Sequence, residues 1–289
     1  MIDTTPMRRA DDPLPSRHPR KGMALLPGLF TAANIAMGYY ALVQALLGSV
    51  AEPWHFDNAA KAIGIAVVLD GLDGRIARLT GTTSDFGREF DSLADVVTFG
   101  VAPALLAWLW GFRLLPPMAN LDLHARLIQV GGIASFVFLM AGASRLARFN
   151  IQRNPQPSNP GRPGRKYFVG MPIPAGAGVI AAIVHFTSGE PVALWWLAAT
   201  WIALLVALAF LMVSTWRFYS FKDIDLRRSH QFRNIILIGF LIAAIWFFSR
   251  YVLFAIALVY MLSGVVARLF YALRRPAPAP TYEEASQPR

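Results

Sequence analysis

The sequence contains no cysteine, so disulfides, thiolate metal sites and thiol nucleophiles are excluded. Charge is scarce too: Asp, Glu, Lys and Arg make up 15% of the 289 residues, against roughly 25% in ordinary soluble domains. Acidic residues are the scarcer sign, 17 against 27 Lys and Arg, which leaves a net charge of +10. That surplus does not imply nucleic acid. The bases stand in loops between apolar segments, and no soluble basic domain exists to carry such binding. No internal repeat is evident. The histidines at 124, 185 and 230 lie far in sequence from the densest group of aspartates, which argues against a mixed His/Asp metal site.

What the chain has in abundance is apolar length: 55% of its residues are hydrophobic. Stretches of about 18 to 25 residues recur, each long enough to cross a hydrocarbon core of roughly 30 Å at 1.5 Å per residue. The expected fold is all-α, a polytopic transmembrane helical bundle. Candidate spans are 24–49, 58–78, 92–112, 126–147, 172–189, 191–213, 232–249 and 251–272, about eight helices. The divisions at Ser188–Pro191 and at Arg250 both require very tight hairpins. Residues 1–22 form a basic N-terminal arm, 23–273 the transmembrane domain, and 274–289 a polar tail expected to be disordered. The first apolar run is too long for a signal-peptide core and is followed by further spans, so an uncleaved helix is expected.

Orientation follows from the bases. Arg75, Arg78, Arg88, Arg153, Arg162, Arg165, Lys166, Arg217, Lys222, Arg227 and Arg228 fall in loops on the side of the basic arm, and Arg274 and Arg275 in the tail. Little beyond Arg113, Arg126 and Arg250 falls on the other. Both termini are therefore expected in the cytoplasm, with the basic loops near anionic lipid head groups.

Against this apolar background stands "DGLDGRIARLTGTTSDFGREFDSLAD", Asp70 to Asp95. Asp70, Asp73, Gly74, Ala77 and Arg78 stand at i, i+3, i+4, i+7 and i+8, one face of a helix. Gly87, Asp91 and Asp95 repeat the device at i, i+4 and i+8. Two helices joined by a short turn can thus aim polar stripes at one another. Gly74 and Gly87 leave room for a close approach of backbone or ligand. A single Asp at a helix centre costs about 2.5–3.5 kcal/mol on insertion scales, and repulsion among four adds to that. Arg75, Arg78 and Arg88 offset part of the charge, and a divalent cation offsets it better. Carboxylate ligands without His or Cys favour Mg²⁺, Mn²⁺ or Ca²⁺ over zinc. A carboxylate-bound ion beside arginines is apparatus for binding a diphosphate. Structural ion pairs at helix ends are the competing reading.

The pattern Asp70-x-x-Asp73-Gly74-x-x-Ala77-Arg78, eight residues, then Gly87-x-x-x-Asp91-x-x-x-Asp95 resembles the full signature of the CDP-alcohol phosphatidyltransferases. "FDSLADVVTFGVAPALL", "ASRLARFN" (Ala143 to Asn150) and "FVGMPIPAGAG" (Phe168 to Gly178) are similar to the branch of that family that uses L-serine. The resemblance covers approximately residues 24–180.

It implies transfer of a phosphatidyl group from CDP-diacylglycerol to the serine hydroxyl, with CMP released, by direct displacement at the phosphorus that bears the diacylglycerol. By the same resemblance Asp70, Asp73 and Asp91 would hold Mg²⁺ or Mn²⁺. Asp95 would be the general base and a ligand to a second ion, and Gly74, Ala77, Arg78 and Gly87 would line the nucleotide pocket. It also implies a homodimer in the bacterial inner membrane with its site facing the cytoplasm.

Serine carries both an ammonium and a carboxylate, so its pocket needs a cation and acceptors. Arg145, Arg148 and Asn150 are candidates, with head-group anchoring of a helix end as the alternative for the two arginines. Lys166 and Arg165 could hold a lipid phosphate instead. Pro172 and Pro174 suit a helix entry, and Trp195, Trp196 and Trp201 suit interfacial or packing positions. The signature itself leaves other acceptors open: glycerol 3-phosphate, inositol phosphate or choline. A transporter or a membrane prenyltransferase would distribute its carboxylates differently, near mid-membrane in one case and in two separate motifs in the other.

Overall fold

A computed structural model describes residues 25–80, 85–151, 167–219 and 231–273. The basic arm, the disordered-tail expectation, and Arg165 and Lys166 lie outside these. Nearly everything described is helix. The order is α1 (Leu25–Leu47), α2 (Trp54–Thr80), α3 (Asp85–Asp95), α4 (Ala102–Trp108), α5 (Leu121–Ile151), β1 (Tyr167–Val169), α6 (Ile173–Phe186), α7 (Trp195–Val213), β2 (Arg217–Tyr219) and α8 (Gln231–Leu273).

Helices α3 and α4 are one rod, joined by a π-helical turn at Val96–Val101 and prolonged by a second at Leu109–Arg113. The first turn has a local cause. The Ala102 N–H donates to the Val97 carbonyl, five residues back, and Pro103 has no N–H to continue the α-helical ladder. The π-turn begins directly after Asp95, and such irregularities often accompany functional groups.

Local chemistry sets other boundaries. The Leu123 N–H donates to the Asn120 Oδ1, an N-cap for α5. Pro172 and Pro174 open α6 as expected. The connection from α6 to α7 turns through Ser188 (φ 60°) and Gly189 (φ 80°). A side chain at Gly189 would meet the Pro53 carbonyl oxygen, so this turn is fitted against the α1–α2 loop.

Among the described residues five helical segments are long and apolar enough to span a bilayer: Gly28–Leu47, Phe86–Arg113, Leu121–Ile151, Trp195–Val213 and Ile238–Leu273. The chain is a polytopic helical membrane protein; length and apolarity alone establish five spans, not eight. The segment 58–78 falls on α2, whose charges keep it out of that set, and 172–189 on α6, only 14 residues long. The division anticipated at Arg250 lies two residues earlier: Phe248 (φ −132°, ψ 35°) leaves helical geometry, and α8 is two helices meeting at a kink there. Neither Gly nor Pro stands near Phe248 to reverse the chain.

The core lies where α1 packs on α2, α2 on α6, α5 on α7 and α6 on α8. Phe56, Phe99, Phe112, Phe138, Ile173, Ile180, Leu205 and Leu208 are fully buried there. Trp201 is buried, donates its indole N–H to the Ala107 carbonyl at 3.1 Å and meets Trp110 edge-on. Trp195 and Trp196 are exposed, as interfacial residues would be.

The all-α expectation needs one amendment. The loops expected around Arg165, Lys166 and Arg217 contribute β1 and β2, which pair antiparallel with Tyr167 opposite Tyr219, Phe168 opposite Phe218 and Val169 opposite Arg217. Three-residue strands are too short for alternation to reveal them in a sequence.

At the head of α2 a buried polar group ties three helices. The His185 Nδ1–H donates to Asp57 Oδ1 at 2.5 Å, and His185 Nε2 meets the Ser249 hydroxyl at 2.9 Å. Lys61 Nζ pairs with Asp57 Oδ2 at 2.7 Å. The histidine is thus a bridge between α2, α6 and the residue after the α8 kink.

Candidate metal and substrate site

The acidic cluster forms where α2 and α3 lie side by side. Asp70 projects from α2, and Asp91 and Asp95, one turn apart, project from α3. One carboxylate oxygen from each lies within 4.8 Å of the others. An ion with bonds of about 2.0–2.1 Å holds its ligand oxygens roughly 3–4 Å apart, so the three can close on one cation with small side-chain movements. All three donors are hard carboxylate oxygens with no nitrogen or sulfur among them, which fits Mg²⁺ or Mn²⁺ and not zinc. Such convergence raises the local negative potential, and a cation there lowers the electrostatic energy of all three at once.

The remaining predicted residues divide. The side chains of Asp73, Ala77 and Arg78 fall outside the described ones. Gly74 and Gly87 are exposed on α2 and α3. A Cβ built on Gly74 meets nothing within 4 Å, so no neighbouring backbone requires a glycine there, and the open space favours the ligand-approach reading over helix–helix contact. Arg75 and Arg88 are exposed.

The three residues considered for the acceptor also part company. Arg145 is 7% exposed, on the inner side of α5, where the charges that act on it include Asp95 and Arg148; its guanidinium also lies 5.9 Å from the Phe149 ring centroid. Arg148 differs from its neighbour one turn back: its Nη2 donates to the Val213 carbonyl at 2.9 Å. That carbonyl is the last of α7, left over by the helical ladder. Arg148 therefore ties α5 to the end of α7. Asn150 Nδ2 donates to the Ser92 hydroxyl at 3.1 Å. It thereby reaches the segment of α3 between Asp91 and Asp95.

Of the three residues, then, the buried charge beside the carboxylates is Arg145 alone. Helical spacing puts Arg145 and Arg148 on one side of α5 but does not say what each meets there. Among the described residues His185 and His124 take no part in the cluster: His185 is engaged with Asp57, and the His124 Nε2–H donates to the Leu115 carbonyl. His230 lies outside the described residues.

A helical membrane bundle with a carboxylate cluster beside a buried arginine defines a class of site suited to a metal-held, phosphate-rich ligand. Residues 24–212 match the CDP-alcohol phosphatidyltransferase family profile, and the chain belongs to that family. It is 38% identical over 213 residues to a CDP-diacylglycerol--serine O-phosphatidyltransferase of Helicobacter pylori, covering 71% of this chain and 76% of that protein. It is 37% identical over 186 residues to the enzyme of the same name from Mycobacterium leprae, 62% of this chain and 52% of that protein. To the Saccharomyces cerevisiae enzyme of that name it is 35% identical over 156 residues, 54% of this chain and 51% of that protein.

Proposed function

We propose that this chain transfers the phosphatidyl group of CDP-diacylglycerol to the hydroxyl of L-serine, giving phosphatidylserine and CMP. The observation that carries the reading is the convergence of Asp70, Asp91 and Asp95 beside the buried Arg145. The similarity to relatives named for this reaction supports it. Asp70, Asp91 and Asp95, joined by Asp73, would hold one or two divalent ions, Mg²⁺ or Mn²⁺. When bound, the metal would neutralise the diphosphate and the charge that develops on the departing CMP.

The protein's own groups account for the rest. Gly74 and Gly87, without side chains, admit the nucleotide between the two helices, with Ala77 and Arg78 along the same face of α2. Arg145 supplies the fixed cation for the serine carboxylate. Asp95 accepts the hydroxyl proton as the serine oxygen forms its bond to the phosphorus bearing the diacylglycerol. The bond from that phosphorus to the bridging oxygen breaks, and its electron pair leaves with CMP. No covalent enzyme intermediate is needed, because one positioned base and one displaced phosphate complete the exchange.

The arrangement of bases supports a cytoplasmic site with both termini in the cytoplasm of a bacterial inner membrane. The arm at 1–22 and the tail at 274–289 then flank the membrane domain at 23–273, and the protein works as a homodimer.

The test is direct. Purified protein is supplied with CDP-diacylglycerol, Mg²⁺ or Mn²⁺, and a panel of alcohols, and CMP release is followed. Serine-dependent release is the expected result. Release stimulated only by glycerol 3-phosphate, inositol phosphate or choline would leave the chemistry and overturn the acceptor.

A further inference from the structure

One buried amide is not bonded within the fold. Asn34, on α1, is 1% exposed, and neither its Oδ1 nor its Nδ2 has a hydrogen-bond partner among the described residues. An amide taken out of water without partners is destabilising, because the desolvation of its donors and acceptor is not returned. Native proteins bury such groups rarely, and each calls for a reason.

The position of Asn34 supplies one. Helix α1 packs on α2, on α3 and on the π-turn that follows α3. A Cβ on Gly38 would lie 2.5 Å from the Thr98 Oγ1 and 2.9 Å from its Cα, so a glycine is needed for α1 to approach the rod there. The Thr98 hydroxyl also donates to the Asn34 main-chain carbonyl at 3.2 Å. The hairpins α1–α2 and α2–α3 each reverse the chain, so α1 and the rod run the same way. One turn back from Gly38, on the same face of α1, stands Asn34; one turn back from Thr98 stand Ala94 and Asp95.

On its other flank α1 is anchored to α2. His55 Nδ1 and Gln44 Oε1 meet at 2.6 Å, and the Phe56 ring fills the space beside Gly48. Ten residues back from Gln44 is Asn34, and ten on from His55 is Ile65; fourteen from Gly48 and from Phe56 lead to Asn34 and to Asp70. With equal rise along both helices, Asn34 stands level with the part of α2 that ends at Asp70. The amide therefore lies on the buried flank of the acidic cluster. Gly74 and Gly87, both exposed, lie on the opposite flank, one turn nearer the α2–α3 connection than Asp70 and Asp91.

We infer that Asn34 is a binding residue for the acceptor alcohol, its Oδ1 accepting from the ammonium or hydroxyl of the amino acid and its Nδ2 donating to an oxygen of the same molecule. This rests on the serine reading given above. An ammonium needs acceptors, and a further carboxylate here would add charge beside the three already gathered; a neutral amide accepts without that cost. The diphosphate has charged partners, to which one neutral donor adds little.

Asn34→Leu keeps the volume and removes both polar ends. In the ligand-free, detergent-solubilised protein it is expected to raise the unfolding temperature by about 2–4 °C, since no bond within the fold is lost. The same variant is expected to raise the KM for L-serine about tenfold, with the KM for CDP-diacylglycerol unchanged. Equilibrium binding of radiolabelled L-serine should weaken by the same factor. Asn34→Ala, which introduces no bulk, should weaken serine equally.

Variants that fold less stably and bind serine as before would mark Asn34 as a structural group and overturn the proposal. Equal losses for serine and CDP-diacylglycerol would overturn it too, as would a fall in kcat with both KM values unchanged. If the unmutated protein releases CMP with another alcohol only, the serine reading fails by itself. The tenfold rise is then expected in the KM for that alcohol, and its absence would overturn the role of Asn34.

Discussion

Two acidic regions sit on the same helix and are treated in opposite ways. At the head of α2, Asp57 is buried and each of its oxygens has its own partner, His185 for one and Lys61 for the other. Thirteen residues on, about 20 Å along the axis at 1.5 Å per residue, Asp70 faces Asp91 and Asp95 instead. The first arrangement distributes one negative charge among donors of the same chain and braces three helices. The second brings negative charge from two helices to one place, where a cation would lower the electrostatic energy of all three carboxylates at once.

The largest effects should fall on the gathered group. Asp91→Asn or Asp95→Asn is expected to lower CMP release by roughly 10²–10⁴-fold, the range for loss of a positioned acid–base group. The variant should still insert and elute from gel filtration as the wild type does. Full activity in either variant would remove that residue from the mechanism. Chelation should silence the unmutated protein reversibly, with activity returning on addition of Mg²⁺ or Mn²⁺; activity that survives an excess of chelator would argue for purely structural pairing of the aspartates.

The head of α2 should respond the other way. His185→Ala leaves a buried carboxylate with one partner fewer, at a cost of about 3 kcal/mol. Thermal unfolding in detergent should therefore begin markedly earlier, while turnover per folded molecule stays near that of the unmutated protein. A large loss of kcat with normal thermal stability would abolish the distinction between the two regions. Lys61→Met is the mildest case. Its side chain is 51% exposed, so the pair with Asp57 is screened and its loss should cost below about 1 kcal/mol.

The acidic cluster was legible in the sequence because it is local. Asp70 and Asp73 stand at i, i+3 and Asp91 and Asp95 at i, i+4, in a chain otherwise poor in acidic residues. The helical class and the entry of α6 at Pro172 are visible for similar reasons. Asp57, His185 and Ser249 were not, since 128 residues separate the first two and 64 the last two, and no periodicity encodes such a meeting. Arg145 and Arg148 show the limit within one helix turn. Spacing gave them a common side, yet one is buried beside Asp95 and the other caps α7, a difference decided by which helices pack there. The break at Phe248 was anticipated two residues on, at Arg250, because a lone charge interrupts the apolar run there.

The π-turn after Asp95 carries a consequence for how this rod tolerates change. An extra residue within a helical turn rotates everything downstream by about 100° relative to an unbroken α-helix. The phase in which Trp110 meets Trp201 is therefore set at Val96–Val101, two turns before the contact itself. Removing a single residue from that turn would leave both the aspartates and the tryptophans in the sequence and yet aim them at unrelated directions. Insertions and deletions, not substitutions, are what this stretch of the protein is built least to survive.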